Sequence, residues 1–277
     1  MITIVTDSSA YFKKSEAAEL GVVLVPLQYT VNNSSFFLES YSDQNGDFEN
    51  MLKSYGSKFS TTHPNIGAFL SCFSEELTKG SQVLCITMSS RLSGTFGSAY
   101  SAAKETGSED IAVFDSQLTG GGLHLLIKEA RKLADSGFSL SDIIKELPAV
   151  RDRIEVVFSV DDITPLRRSG RLGYVRYNVN TILNIKPILL CRDGVIVSDG
   201  VAHGTTDIIR KLLNKVTDEA TDVIVNYIDR KRAAIHIHNI IKGQRPGIRV
   251  KLRKMGPVIG IHLGLHGVGV SLLNKNA

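Results

Sequence analysis

Short apolar runs punctuate the first half of the chain, and each stops abruptly in polar residues. Residues 1–5 end at Thr6-Asp7-Ser8-Ser9, residues 22–25 end at Pro26, and residues 111–114 end at Asp115-Ser116. Residues 83–87 empty into Met88-Ser-Ser-Arg-Leu-Ser-Gly-Thr95. Runs of this length bounded by turn chemistry predict buried strands. Between them the apolar period changes. Ile66, Phe69, Leu70, Phe73 and Leu77 predict a helix over 66–78, and a second is predicted over 98–105. Residues 123–135 form an amphipathic helix closed by Gly137, and Ser139-Leu-Ser-Asp opens another with N-cap chemistry. Strands alternating with helices predict a parallel sheet covered on both faces. In such sheets ligands sit outside the carboxyl ends of the strands. Here those ends read TDSS, TMSSRLSGT and DSQLTGGG, all rich in hydroxyls.

The second half has a different rhythm. It predicts a strand over 154–160, a helix over 172–182, and a hairpin of 188–191 with 195–201 around Asp193-Gly194. A helix over 205–215, a strand over 223–228, a helix over 231–242 and strands over 248–252 and 267–272 follow. The fold class expected is α/β in two domains, 1–158 and 159–277, with a parallel sheet in the first and a mixed sheet in the second.

Composition narrows the field. A chain of 277 residues, 43% hydrophobic and 22% charged, has ample length for a packed core. A net charge of +4 is too mild to argue for nucleic acid, and no apolar run reaches bilayer-spanning length. The stretch MITIVTDSSA lacks the basic and long apolar regions of a signal peptide. Three scattered cysteines, Cys72, Cys85 and Cys191, give no disulfide framework and no CxxC pair. A reduced cytoplasmic protein is the expectation.

The chemistry-bearing stretches each admit two readings. Ser89 to Thr95 is neither a Walker loop nor GxGxxG. It reads either as an anion cradle at a helix N-terminus or as plain N-capping by Ser89, Ser90 or Ser93. Thr61 and Thr62 cap the helix that Pro64 introduces, or join the first loop around one head group. Gly120-Gly-Gly122 permits close backbone approach. His236 and His238 point apart on a helix and have no obvious further ligand, so no metal is expected. Gly256-Pro-Val-Ile-Gly-Ile-His262 delivers a histidine near the C-terminus, and His266 follows four residues on. Either is a candidate anion partner or a satisfied core histidine. Arg167, Arg168 and Arg171 make a basic turn suited to phosphate or an acidic partner surface. Arg245 to Lys254 reads as one charged face of an exposed strand. There is no GxSxG, no HExxH and no marked carboxylate pair. The sequence is better built to hold something than to transform it.

Several stretches together resemble the DegV family. They are Val5-Thr-Asp-Ser-Ser9, Val25-Pro-Leu27, Thr61-Thr-His-Pro64, Ser89 to Thr95, Phe114-Asp-Ser116, Arg168-Ser-Gly-Arg-Leu172, Asn184-Ile-Lys-Pro-Ile188 and Gly256-Pro-Val-Ile-Gly260. They occur in the family's order and cover nearly the whole chain. The resemblance implies two α/β domains with a buried tunnel between them for one long-chain fatty acid. It implies that Thr61 or Thr62, with Ser93 and Gly94, holds the carboxylate, and that His262 lies opposite. It also implies a carrier subunit with no activity and no cofactor of its own. A separate ATP-dependent kinase subunit would phosphorylate the carboxylate, docking near Arg167, Arg168 and Arg171. A downstream acyltransferase would consume the acyl phosphate for phospholipid synthesis. Transient membrane contact stays open; no nucleic acid is expected. Two departures stand out. Thr62 and His63 replace a small polar residue and Gln, and Leu265-His266 replaces Pro-Gly after the late histidine. His262 is the motif match, and His266 the second candidate. A stand-alone phosphotransferase or hydrolase using the same loops is the alternative, and would bring a bound metal or nucleotide.

Overall fold

The computed structural model describes residues 1–55, 58–173 and 185–276. The first apolar run is β1 (Ile2–Asp7), followed by α1 (Lys14–Glu19) and β2 (Val22–Val25). An excursion comes next, of β3 (Gln28–Val31), β4 (Ser35–Leu38), α2 (Phe48–Tyr55) and β5 (Phe59–Thr62). The alternation then resumes with α3 (Ile66–Thr78), β6 (Gln82–Thr87), α4 (Thr95–Thr106), β7 (Ile111–Asp115), α5 (Gly121–Asp135) and α6 (Leu140–Asp152). The second half runs through β8 (Ile154–Ser159), α7 (Thr164–Arg168), β9 (Ile185–Arg192), β10 (Val195–His203) and α8 (Gly204–Lys215). It ends with β11 (Ala220–Tyr227), α9 (Lys231–Gln244), β12 (Arg249–Lys254), α10 (Pro257–Leu263) and β13 (Val268–Asn274).

The fold is α/β. The first sheet has the order β2-β1-β6-β7, with every pair parallel. Its strands are apolar on both sides because helices cover both faces. Val5, Val83 and Cys85 meet Phe69 and Phe73 of α3 on one face. Ile4, Leu84 and Ile86 share the opposite core with Leu125, Leu126 and Leu147 of α5 and α6. The second sheet, β10-β9-β8-β13-β11-β12, is mixed: only β11 and β12 run parallel. Its outer face, with Leu190, Val223 and Val270, packs on α8 and α9. Its inner face, with Val156, Phe158 and Ile224, belongs to the same core cluster as Ile4 and Leu84 of the first sheet. That shared core is where the site lies.

The β9–β10 hairpin turns at Asp193 and Gly194, both in the left-handed region, at φ 48° and 78°. This is the Asp-Gly chemistry of a two-residue hairpin loop. Leu172 bridges to Ile196; residues 174–182 of the expected helix, and Asn184 of the family motif, lie outside the described residues. Two local expectations change. Thr61 and Thr62 do not cap α3: they end β5, which pairs antiparallel with β3. The cap is Asn65, whose side chain accepts from the Ala68 amide at 2.8 Å. The three-stranded sheet β4-β3-β5 has no counterpart in the apolar pattern. Its strands read QYTV, SFFL and FSTT, with hydroxyls where an apolar run would be looked for.

Candidate functional site

A cavity opens between the two sheets, with about 950 Å³ of space unoccupied by atoms, including its mouth. Most of its wall is apolar, with Leu27, Met88, Leu92, Phe158, Met255 and Leu263 among the contributors. The polar groups are fewer. Thr61 and Thr62 arrive from β5 and His63 from just past it, Ser93 and Gly94 from the β6–α4 loop, Thr119 from the β7–α5 turn, Arg171 from the turn after α7, Asn226 from β11 and His262 from α10.

Thr61 and His262 meet directly. Thr61 Oγ1 lies 2.9 Å from His262 Nε2, across 201 positions of sequence. Successive side chains on a strand face opposite ways, and Thr62 sits exposed at the rim. Helix α10 is set in place by buried polar groups. Glu39 Oε1 accepts from the Val258 amide at 2.8 Å, and Tyr11 Oη accepts from the Ile259 amide at 3.2 Å. Ser8 Oγ donates to Glu39 Oε2 at 2.7 Å. Burial pushes the Glu39 carboxyl up to about 7. Burial, and then the nearby Arg171 guanidinium, lower the His262 imidazole to about 4. His262 is therefore neutral at neutral pH, offering one donor and one acceptor nitrogen.

Most hydroxyls of the strand ends turn out to hold the scaffold. Asp7 accepts from the Met88 amide at 2.7 Å and from the Ser9 amide at 3.0 Å, tying β1 to the exit of β6. The Ser90 amide donates to Asp115 at 3.0 Å, tying that exit to β7. Ser89 Oγ donates to the Gly194 carbonyl at 2.7 Å, and Arg91 Nη1 to the Asp193 carbonyl at 3.1 Å. The hairpin tip of the second sheet thus clasps the loop of the first. Ser93 is the serine of this loop on the cavity wall, sharing a 2.8 Å hydrogen bond with Thr95 Oγ1. Gly94 begins α4 with no side-chain cap. A Cβ there would lie 2.8 Å from His63 Cε1, so the exposed His63 ring would have to swing aside for any larger residue.

The structure separates the three arginines. Arg167 and Arg168 are exposed in the last turn of α7. Arg171 folds back onto the cavity wall, donating from Nε to the Leu92 carbonyl at 3.2 Å. His266 is exposed past the end of α10 and does not line the cavity. The basic strand β12 is not a free cationic face: Arg249 pairs with Asp222 at 2.6 Å, Arg253 with Glu16 at 2.6 Å and Lys254 with Glu49 at 2.6 Å. His236 and His238 lie on α9, and no cluster of three metal-ligating side chains occurs among the described residues. Nor is any helix there long and apolar enough to cross a membrane.

Sequence reasoning placed Arg171 with the exposed pair and did not single out Thr119 or Asn226, which also line the cavity. Nothing in the motif Arg168-Ser-Gly-Arg171 tells which way a side chain turns. Two hydroxyls, a neutral imidazole and a guanidinium at one part of an apolar cavity suit a small planar anion carrying an apolar body.

A family model described as an uncharacterised protein family, DegV, matches residues 1–275. A DegV domain-containing protein of Halalkalibacterium halodurans is 31% identical, over 98% of this chain and 97% of its own. Among solved structures, DegV of Bacillus subtilis, a fatty acid binding protein, superposes with TM-score 0.85 at 28% identity, covering 99% of each chain. A fatty-acid-binding DegV family protein from Thermus thermophilus gives TM-score 0.87 at 25% identity, again over 99% of each. With this fold, these loops and a match along its length, the chain belongs to the DegV family.

Proposed function

We propose that this chain holds one long-chain fatty acid in the cavity between its sheets, with the carboxylate against Thr61, Ser93 and His262. Thr62, Gly94 and Arg171 complete the rim. The observation that carries this is the Thr61–His262 pair, together with Ser93 and Arg171, on the wall of a largely apolar cavity. Each CH₂ taken from water contributes roughly 0.8 kcal/mol, so the wall supplies affinity and the polar groups set direction. The neutral imidazole donates one hydrogen bond to the carboxylate, and Arg171 supplies the charge.

The chain is a carrier without activity of its own, in two domains; the expected boundary at 158 moves back to the start of β8, because Ile154–Ser159 pairs entirely within the second sheet. It presents the carboxylate to a separate ATP-dependent kinase subunit, which converts it to an acyl phosphate for a downstream acyltransferase of phospholipid synthesis. The kinase docks over the exposed Arg167 and Arg168, which end α7 just ahead of the cavity-lining Arg171 in sequence. The cytoplasm is the matching compartment.

The test is native mass spectrometry of the purified chain, followed by solvent extraction and lipid analysis. One fatty acid per chain is expected, with acyl phosphate formed only when the kinase subunit and ATP are added. A clean unloaded mass with no uptake of added fatty acid overturns the carrier reading. Acyl phosphate made by this chain alone overturns its role as an inert subunit.

A further inference from the structure

Glu39 is fully buried and does not line the cavity. Its carboxyl group is held by neutral donors: Ser8 Oγ at 2.7 Å, Tyr11 Oη at 3.2 Å and the Val258 amide at 2.8 Å. A carboxyl group is costly to bury in such company, which raises the question of what it secures. Two elements meet on it. Glu39 follows β4 directly, and its own amide donates to the Leu27 carbonyl at 2.8 Å. Leu38, Gln28 and Thr62 stand side by side across the three-stranded sheet. Glu39 therefore leaves that sheet at the end where β5 delivers Thr61. Its carboxyl group reaches over to α10, which delivers His262.

Helix α10 depends on this contact for its first turn. Gly256, its N-cap, makes no side-chain cap, and Pro257 has no N–H. The amides of a first turn need partners from outside the helix. Those that remain here are Val258 and Ile259, and Glu39 Oε1 accepts from the first while Tyr11 Oη accepts from the second at 3.2 Å. The next amide, Gly260, already closes onto the Gly256 carbonyl at 3.0 Å. A Cβ at Gly256 would lie 2.6 Å from Glu39 Oε1 and 2.8 Å from Tyr11 Cε1, so the chain is drawn close around both. One side chain thus joins the end of the small sheet to the start of α10, and the 2.9 Å contact of Thr61 with His262 spans the same two elements.

We infer that Glu39, acting with Tyr11, is the positioning residue of the head-group pair: it holds His262 at the distance from Thr61 at which both meet a carboxylate, and so sets the preference for an ionised head group over a neutral one. This rests on the fatty-acid reading above. Polar sites lose selectivity when their supporting contacts let them drift. Burial of the tail against the apolar wall does not depend on where the imidazole sits, so the loss of Glu39 acts on head-group preference and spares the hydrocarbon.

The test compares stearic acid with octadecanol, an uncharged head group on a tail of the same length, by displacement of a fluorescent fatty acid. The wild type should favour the acid at least about tenfold. Glu39→Ala and Tyr11→Phe should each cut that ratio about fivefold while affinity for the alcohol is kept. Glu39→Gln, whose amide oxygen can still accept from Val258, should keep the ratio. Tyr11→Phe removes a single hydroxyl and decides the matter if Glu39→Ala does not fold. In a His262→Ala background the same Tyr11→Phe change should leave the ratio alone, because the group it positions is gone. A wild type indifferent to the head group, acid and alcohol weakened alike, an unchanged ratio in Tyr11→Phe, an equal effect of that change in both backgrounds, or loss of the ratio in Glu39→Gln overturns the inference and leaves the carrier reading standing. No binding of stearic acid by the wild type overturns both.

Discussion

Replacing Thr61 by valine isolates one hydrogen bond at the rim. Valine keeps the shape and the β-branch that suit β5 and removes only the hydroxyl that meets His262 Nε2 at 2.9 Å. In the unloaded protein the loss is small. A neutral hydrogen bond contributes about 1 kcal/mol, and water replaces part of it at a half-buried residue. The melting temperature should fall by no more than about 4 °C. With a carboxylate bound, the same hydroxyl serves an ion, and bonds to charged groups are worth about 1.5–3 kcal/mol. Affinity for a long-chain fatty acid should therefore drop roughly ten- to hundredfold. Displacement of a fluorescent fatty acid measures it. Thr62→Val is the comparison: Thr62 also lines the cavity, but it is exposed and lies on the other side of the strand from the hydroxyl that meets His262. Its affinity should change less than threefold or so, the span of a weak surface effect. Equal losses from both variants, or none from Thr61→Val, would refute the register of β5 as the source of head-group selectivity.

Two further outcomes follow from named contacts. Burial holds the His262 imidazole near 4 against 6.5 for a free one, so between those values the unfolded chain takes up a proton that the folded chain refuses. Stability should fall as pH drops through that window, by at most about 3 kcal/mol from this group. Chemical denaturation of the wild type and of His262→Gln across pH 4–7 checks it, because the variant should show a shallower slope; an unchanged slope would sink the assignment. Gly260→Ala tests the seat of α10. Its Cβ would lie 2.5 Å from Cε1 and Cζ of the buried Phe48 ring, which overpacks that contact by about 1–3 kcal/mol. A lower melting temperature is expected, despite alanine's better helix propensity; a higher one would mean that the ring gives way freely.

Much of the frame is legible in the sequence because burial writes itself as pattern. β1, β2, β6 and β7 are covered on both faces, so each reads as an uninterrupted apolar run. Asp193-Gly194 announces its hairpin, and Ser139 caps α6 by accepting from the Asp142 amide, as its position predicts. The sheet of β3, β4 and β5 is silent because β4 is exposed along its length and β5 alternates hydroxyls with half-buried positions. In the site, the ordered motifs locate Thr61, Ser93 and His262, but their division of labour is tertiary. Ser8, Ser89 and Ser90 have the same chemistry as Ser93, yet their hydroxyls hold Glu39, Gly194 and Asp115. Only the placement of distant strands separates a cavity-lining hydroxyl from a structural one. Asn226 gave no signal at all, since one polar residue in an apolar strand is unremarkable until its partners are counted.

The clasp of the hairpin tip over the β6–α4 loop, together with the Thr61–His262 contact, makes the cavity a seam stitched from both ends of the chain. Whatever occupies such a seam becomes part of the interior, touching the first sheet and the second at once. By mass action, an occupant at a hundred times its dissociation constant adds about 2.7 kcal/mol to the folded state. On the reading proposed above, a loaded molecule should therefore resist heat and proteases better than an emptied one.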